Sequence, residues 1–301
     1  GDGEDNVTVE STHNGETNLN TADGNDNIYI ESIYGNTTVR SAQGDDSITV
    51  SSSQQLLDNI ANTLTVSGGI GGDILNLDDS GDSKDNIAIV TDNEIRGLGM
   101  GGKINYGSFE KLNLQTGDGE DNVTVESTHN GETNLNTADG NDNIYIESIY
   151  GNTTVRSAQG DDNITVSSSQ QLLDNIANTL TISGGIGGDI LNLDDSGDSK
   201  DNIAIVTDNE IRGLGMGGKI NYGSFEQLNL QTGDGEDNVT VESTHNGETN
   251  LNTADGNDNI YIESIYGDAT VVTSNGSDTV NVDNSSLLPA VLIVDGEKWR
   301  D

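Results

Sequence analysis

The sequence predicts an all-β fold in which short strands stack as the coils of a parallel solenoid, and three observations carry that prediction. A glycine-rich acidic corner with the pattern Gly-x-Asp-x-aliphatic recurs along the chain, first at Gly3 and then after 21, 20 and 27 residues. Each corner runs into a short segment of alternating apolar and polar residues, which is the period of a strand with one buried face. The whole pattern begins again after 116 residues, at Gly117. Such repeats are typical of solenoids, in which each coil buries its apolar face against its neighbours.

The repeats divide the chain into two full copies (residues 1–116 and 117–232) and a partial copy (233–284), followed by a segment (285–301) that is a terminal cap or the start of another module. The full copies differ at three positions: Ser47 becomes Asn163, Val66 becomes Ile182 and Lys111 becomes Gln227. Five coils in each full copy and three in the partial copy predict about 13 coils of 20–27 residues.

Two segments of each copy depart from the simple coil of corner, strand, turn and strand. An insertion at residues 54–62 places Leu56, Leu57 and Ile60 at a spacing that suits a helical turn, which we expect to fold over a coil end or flank and not to act as a functional loop. The fifth coil has the glycine-rich stretch Gly97–Lys103 where an acidic corner would fall, and we interpret this stretch as a tight corner without an aspartate.

The composition predicts a chain that needs cations in order to fold. It contains 52 acidic and 11 basic residues, a net charge of −41, and only 31% apolar residues, which is close to the composition of disordered proteins. This charge argues against nucleic acid as a partner. The sequence contains no run of 18 apolar residues, so membrane insertion is not predicted. The absence of cysteine excludes disulfides and thiolate metal sites.

Stacked coils would place the corner aspartates one above another. Two carboxylates about 4.8 Å apart repel each other by about 3.5 kcal/mol at an effective dielectric constant of about 20. A column of such groups requires protons or bridging cations. The available ligands are oxygens of carboxylates, amides, hydroxyls and glycine-turn carbonyls, which suit calcium better than magnesium or zinc.

These corners resemble a known family of repeats. Residues 68–75, Gly-Gly-Ile-Gly-Gly-Asp-Ile-Leu, are similar to the Gly-Gly-x-Gly-x-Asp-x-aliphatic nonapeptide of the repeats-in-toxin (RTX) proteins, and residues 1–7 are similar to a variant of it. The full copy also resembles the long repeat arrays of giant bacterial surface proteins. The resemblance implies a right-handed parallel β-helix or β-roll, several Ca²⁺ ions held between consecutive corners, and export to a calcium-rich exterior.

Carried over by position, the resemblance implies a set of metal ligands. The motif aspartates are Asp5, Asp26, Asp46, Asp73, Asp121, Asp142, Asp162, Asp189, Asp237, Asp258 and Asp278. Weaker candidates are Asp2, Asp23, Asp85, Asp118, Asp139, Asp201, Asp234 and Asp255. RTX motifs recur every nine residues on both edges of the roll, whereas the wider spacing in this chain predicts calcium mainly along one edge.

We interpret the chain as a calcium-stabilised extracellular structural repeat, a stalk, spacer or filament segment of a bacterial adhesin or matrix protein. Equivalent carboxylates repeated along a rod do not supply the convergent, unlike groups that catalysis requires, so no enzyme activity is expected. His13, His129 and His245 occupy identical turns and are interpreted as exposed. Self-association into fibres is left open.

An alternative is a carbohydrate-binding or carbohydrate-modifying β-helix module. Outward-facing tyrosines would then stack on the sugar rings of surface glycans; these are Tyr29, Tyr34, Tyr145 and Tyr150.

Overall fold

The computed structural model is a β-solenoid of about 12 coils, so the predicted fold class is confirmed. It describes residues 1–283 and 290–296, and of the predicted terminal segment 285–301 only residues 290–296 are therefore described. Within these ranges there is no helix long and apolar enough to cross a membrane. The chain separates into two compact units, one of Gly1–Ile144 and Tyr150–Ala158, the other of Tyr145–Ile149 and the described residues from Gln159 onward.

The first unit consists of two sheets. Its strands are β1 (Asn6–Val9), β2 (Thr17–Asn20), β3 (Asn27–Ile30), β4 (Thr37–Gln43), β5 (Ser47–Val50), β6 (Thr63–Ile70), β7 (Ile74–Asp78), β8 (Ile87–Val90), β9 (Glu94–Gly97), β10 (Lys103–Gly107), β11 (Lys111–Gln115), β12 (Asn122–Val125), β13 (Glu132–Asn136), part of β14 (Asn143–Ile146), and β15 (Thr153–Arg156). One sheet has the order β1-β3-β5-β7-β11-β13-β15, and the other has the order β2-β4-β6-β10-β9-β8-β12-β14.

The second unit repeats this organisation. Its strands are β16 (Asn163–Val166), β17 (Thr179–Ser183), β18 (Ile190–Asp194), β19 (Ile203–Val206), β20 (Glu210–Gly213), β21 (Lys219–Gly223), β22 (Gln227–Gln231), β23 (Asn238–Val241), β24 (Glu248–Asn252), β25 (Asn259–Ile262), β26 (Ala269–Thr273), β27 (Thr279–Val282) and β28 (Leu292–Gly296). The sheet orders are β16-β18-β22-β24-β26-β28 and β17-β21-β20-β19-β23-β25-β27.

The core lies between the two sheets of each unit and consists of rows of aliphatic side chains. Ile28, Ile48 and Leu75 pair on successive parallel strands, and each is at most 2% exposed. The polar residue between two such positions points outward, which gives the period-2 burial pattern of nearly every strand. Burial of each aliphatic side chain contributes about 1.5–3 kcal/mol, so the rows stabilise a chain with few apolar residues.

Each copy contains an odd number of half-coils. In the first unit, the strands that follow the acidic corners of copy one (β1, β3, β5 and β7) lie in one sheet, whereas β12, which follows the first corner of copy two, lies in the other. Between β1 and β12 the chain crosses from sheet to sheet nine times. A copy is therefore four and a half coils long, which explains why about 12 coils form where about 13 were predicted.

The interpretation of the fifth coil was wrong. Strand β9 lies antiparallel to both β8 and β10 in the same sheet, so Gly97–Lys103 connects two strands of a meander. The chain reverses twice at this point before it continues around the coil. Strands β19, β20 and β21 form the same meander in the second unit.

The predicted helical turn at residues 54–62 is also absent. The Gln55 N–H donates to the Ser52 carbonyl in a turn, and Ile60 forms an isolated parallel bridge with Ile33. Leu57 and Ile60 are fully buried. Their apolar spacing reflects packing over the core, a contact that overrides the local helical pattern.

Corner glycines are required by the close approach of successive coils. Gly44 has φ +138°, and a Cβ at this position would lie 2.0 Å from the Gly24 carbonyl oxygen. We expect Gly44→Ala to lower the free energy of unfolding by at least about 2 kcal/mol, because it combines a strained φ with a backbone clash.

Gly107→Ala is the matched control, since a Cβ at Gly107 meets nothing within 4 Å. Urea denaturation should show a clear decrease in the free energy of unfolding for Gly44→Ala and little change in it for Gly107→Ala. Equal effects of the two substitutions would contradict this account of the corner.

Candidate cation sites at the acidic corners

The structure separates the predicted aspartates by burial. Nine motif aspartates are at most 1% exposed: Asp26, Asp46, Asp73, Asp121, Asp142, Asp162, Asp189, Asp237 and Asp258. The other two, Asp5 and Asp278, are half-buried. All eight weaker candidates are exposed: Asp2, Asp23, Asp85, Asp118, Asp139, Asp201, Asp234 and Asp255.

In the first unit, the buried carboxylates of copy one form a row of hydrogen bonds from coil to coil. Oδ1 of Asp26 accepts the backbone N–H of Asp5 at 2.8 Å, and Oδ1 of Asp46 accepts that of Asp26 at 2.8 Å. Oδ1 of Asp73 continues the row by accepting the N–H of Asp46 at 2.9 Å. The row ends at Glu110, whose Oε2 accepts the N–H of Asp73 at 2.7 Å. Each carboxylate therefore holds the corner of the preceding coil.

A second row lies at the opposite edge of the same unit. It begins at Asn86, whose N–H donates to Oδ1 of Asp121, and Asp121 in turn donates to Oδ1 of Asp142, both at 2.9 Å. The buried aspartates therefore lie along two edges and not mainly along one, because the half-coil offset moves the corners of copy two to the other edge. Asp85 was placed one residue too early, since it is exposed and accepts the Glu120 N–H at the surface, while Asn86 occupies the row.

The second unit repeats both rows. They comprise Asp162, Asp189 and Glu226 on one edge, and Asn202, Asp237, Asp258 and Asp278 on the other. Asn202, and not the weaker candidate Asp201, occupies the row.

The second oxygen of the carboxylates in these rows differs from the first in its contacts. Oδ2 of Asp26, Asp46 and Asp73 is buried without a hydrogen-bond partner among the described residues. The same holds for Oδ2 of Asp189. Asp121, Asp237 and Asp258 differ, because a threonine hydroxyl (Thr116, Thr232 or Thr253) lies beside each carboxyl group and stabilises its anionic form. A buried unpaired polar atom costs about 1–3 kcal/mol, and more when it is charged. These oxygens therefore favour a proton or a cation.

Burial also shifts the titration of the rows. It raises the pKa of Asp73 and of Asp189 to about 6, with the charges of neighbouring carboxylates acting in the same direction. Burial likewise raises the pKa values of Asp121, Asp237 and Asp258. The anionic form is disfavoured unless a positive charge accompanies it.

The donor set fits a hard cation in part. No three His, Asp or Glu side chains of the described residues converge as a metal cluster. A cation in a row would be held by the Oδ2 atoms of successive aspartates, with oxygens of the glycine-rich corner backbone completing its coordination. An all-oxygen set of this kind suits calcium, which tolerates irregular coordination.

A further acidic group, which we call the Asp79 cluster (Asp58, Asp79, Asp82 and Lys84), was not anticipated. Asp79 is fully buried, and its Oδ1 accepts the Leu57 N–H at 2.7 Å. Burial raises its pKa to about 7, and the charges of Asp82 and Asp58 add to this. Lys84 Nζ lies 3.1 Å from Oδ2 of Asp58 and 3.6 Å from Oδ1 of Asp82.

The second unit contains the same cluster, in which burial raises the pKa of Asp195 to about 7. The only signal in the sequence was the acidic run of residues 78–85. That run does not reveal which carboxylate the insertion at residues 54–62 would cover.

The histidine prediction was correct for His13 only. His129 is half-buried and His245 is buried. Each packs edge-to-face on a tyrosine of the preceding coil, Tyr106 or Tyr222, with ring centroids 5.9 Å apart. Burial lowers the pKa of both histidines.

No protein-family model matches the chain, and no curated protein matches its sequence.

We expect the metal-free protein to become more stable as the pH falls from about 8 to about 5.5. A carboxyl group with a raised pKa in the folded state binds a proton on folding, so its contribution is present at low pH and is lost as the pH rises through about 6–7. The lowered pKa of His129 and His245 opposes this gain below about pH 6.5. Thermal unfolding in a chelator, repeated across this pH range, measures the net change in stability.

Asp79→Asn combined with Asp195→Asn should flatten this pH dependence, because the amide oxygen retains the backbone hydrogen bond and the side chain no longer titrates. Asp92→Asn with Asp208→Asn changes two exposed aspartates and is the matched control. A melting temperature of the metal-free wild type that falls on acidification over this range would contradict the expectation.

Proposed function

We propose that the chain is a calcium-stabilised structural repeat, serving as a stalk, spacer or filament segment of an extracellular bacterial adhesin or matrix protein. One observation carries the proposal. Asp26, Asp46 and Asp73 each fold a carboxylate inward at an acidic corner, use one oxygen to hold the neighbouring coil, and leave the other oxygen buried. The similarity of the corners to RTX nonapeptides supports the same conclusion.

Bound calcium would neutralise the repulsion between the carboxylates of a row. A proton would neutralise one carboxyl at a time and would leave at neutral pH, given a pKa of about 6 at Asp73. A dication between two carboxylates neutralises both and remains bound at neutral pH. Extracellular modules bind calcium with dissociation constants of about 10⁻⁴–10⁻³ M, which matches an exterior that is rich in the ion.

The repetition of equivalent sites suits a mechanical role. Copies one and two differ at three positions only. The number of copies would therefore set the length of the solenoid without changing the residues at its acidic corners. Within each unit, coils contact their neighbours through mostly parallel ladders and through the carboxylate rows, as expected for a solenoid whose stability is a sum of local interfaces.

Calcium would also couple folding to export. With a net charge of −41 and few apolar residues, the chain would repel itself and would be only weakly stable where calcium is scarce. It would fold where calcium is abundant, because binding free energy then adds to folding free energy. Each independent site contributes about 2.7 kcal/mol at a hundredfold excess of calcium over its dissociation constant.

The variant Asp73→Asn/Asp189→Asn tests the proposal within the rows. Asn keeps an oxygen for the backbone N–H of Asp46 or Asp162 but removes the buried charge. We expect the metal-free melting temperature to rise and the calcium-induced increase to shrink. Thermal unfolding followed by circular dichroism, with calcium and with chelator, measures both quantities.

Asp92→Asn/Asp208→Asn, which changes two exposed turn residues, should leave the calcium-induced increase unchanged. Strand content and melting temperature that are identical in calcium and in chelator would contradict the proposal. So would a calcium response that Asp73→Asn/Asp189→Asn leaves intact.

A further inference from the structure

A pocket opens at the edge of each unit where the meander interrupts the stacking of the coils. In the first unit, β11 and β13 are neighbours in one sheet, whereas β9 and β8 lie between β10 and β12 in the other. The turns that follow β10 and β12 therefore start about 14 Å apart and end about 4.8 Å apart. They diverge as a wedge, which the hairpin turn between β8 and β9 borders.

The wedge contains a pocket with nearly the same lining in both units, and we call it the meander pocket. In the first unit its volume is about 370 Å³, and its lining includes Asp92, Tyr106, Phe109, Glu110 and His129. In the second unit its volume is about 260 Å³, and its lining includes Asp208, Tyr222, Phe225 and His245. His13 is the counterpart of these histidines in copy one, but no meander precedes it in the chain and it is exposed.

Each pocket contains an imidazole nitrogen without a partner. Nδ1 of His245 lies 3.2 Å from the Thr249 hydroxyl, whereas its Nε2 is buried without a hydrogen-bond partner among the described residues. His245 is 9% exposed, and a Cβ on Gly247, which also lines the pocket, would lie 2.6 Å from Nε2. His129 repeats the arrangement in the first unit. Each pocket therefore offers a buried hydrogen-bonding atom to a ligand.

Two carboxylates give the pocket of the first unit a negative field. Burial raises the pKa of Tyr106, and the charge of Asp92 adds to this. The charge of Glu110 acts on His129, against the burial that lowers its pKa. Within the described part of the chain, neither Asp92 nor Glu110 belongs to an ion pair. The second unit repeats both effects through Asp208 and Glu226. A ligand in either pocket thus meets uncompensated negative charge.

This combination selects a cation that carries N–H donors. Such a group can donate to Nε2 of a neutral imidazole, and it selects the tautomer whose Nδ1–H donates to the threonine hydroxyl. The carboxylates attract it, whereas they repel an anion and give a neutral hydroxyl no advantage. Tyr106 and Phe109 add aromatic walls, and a planar guanidinium group packs favourably on aromatic rings.

We propose that each meander pocket binds a guanidinium group, with Nε2 of His129 or His245 as an acceptor and the neighbouring carboxylates as the counter-charge. The inference goes beyond a structural role, because it gives the chain two equivalent ligand sites. It does not rest on calcium at the acidic corners, provided that the protein is folded.

Proton NMR of the full chain in calcium and about 0.15 M salt tests the proposal with butylguanidine as the probe. The chain has three histidines, and their imidazole signals report on each turn separately. We expect butylguanidine to shift the signals of His129 and His245 saturably and to leave those of His13 nearly unchanged. Butylurea, a neutral molecule of similar shape, should bind at least about tenfold more weakly. A capped arginine peptide, titrated in parallel, distinguishes an arginine side chain from a free guanidine, and binding of either supports the proposal.

The variant His129→Phe/His245→Phe keeps an aromatic ring in each pocket and removes the acceptor. Calorimetry should show two butylguanidine sites in the wild type and at least about tenfold weaker binding in this variant. His13→Phe is the matched control and should bind like the wild type, because His13 lies outside the pockets. Melting temperatures show whether both variants are folded.

Three results would overturn the proposal: no saturable shift of His129 and His245, equal binding of butylguanidine and butylurea, or wild-type affinity in folded His129→Phe/His245→Phe. Equal shifts at all three histidines would also overturn it, because they would indicate diffuse binding to the acidic surface. The wild-type titration does not require any variant to fold. A missing response to calcium would contradict the proposed function and would leave these titrations valid.

Discussion

The structure depends on one contact, the hydrogen bond from a corner amide to a buried carboxylate of the next coil. Oδ1 of Asp46 holds the corner of Asp26 in this way, and the same bond recurs in both rows of each unit. The contact fixes the register of successive coils at the corner, where the aspartate N–H donates to a side chain and not to a backbone carbonyl. It does so with a charged group whose second oxygen is buried. The contact between coils and the proposed cation dependence therefore involve the same carboxyl groups.

The position of the rows follows from the length of the copy. Nine half-coils separate equivalent strands, so the corners of successive copies lie on opposite edges. In the first unit, one row begins at Asn86, whose N–H donates to Asp121, and the other row ends at Glu110, whose carboxylate accepts from Asp73. The meander of β8, β9 and β10 lies at this point. Each copy thus begins with a run of aspartates and ends with a break in them.

Much of this could be predicted from the sequence, because solenoid coils repeat locally. The alternation after each corner predicts the strands, and the kernel spacing identifies the buried aspartates. The half-coil offset could not be predicted, since periodicity does not distinguish the antiparallel β9 from a strand that crosses to the other sheet. The role of Asn86 depends on hydrogen-bond register, which places it where Asp85 was expected. The buried state of Asp79 depends on packing by a distant insertion through Leu57, and a pattern read along the chain does not report such contacts.

Anomalous diffraction from crystals grown with calcium at neutral pH tests the central claim most directly, since it shows whether the buried carboxylates share metal ions. The account predicts calcium peaks within coordination distance of the Oδ2 atoms of Asp26, Asp46 and Asp73, and of their counterparts on the opposite edge. Intact coils without metal density along these rows would contradict it.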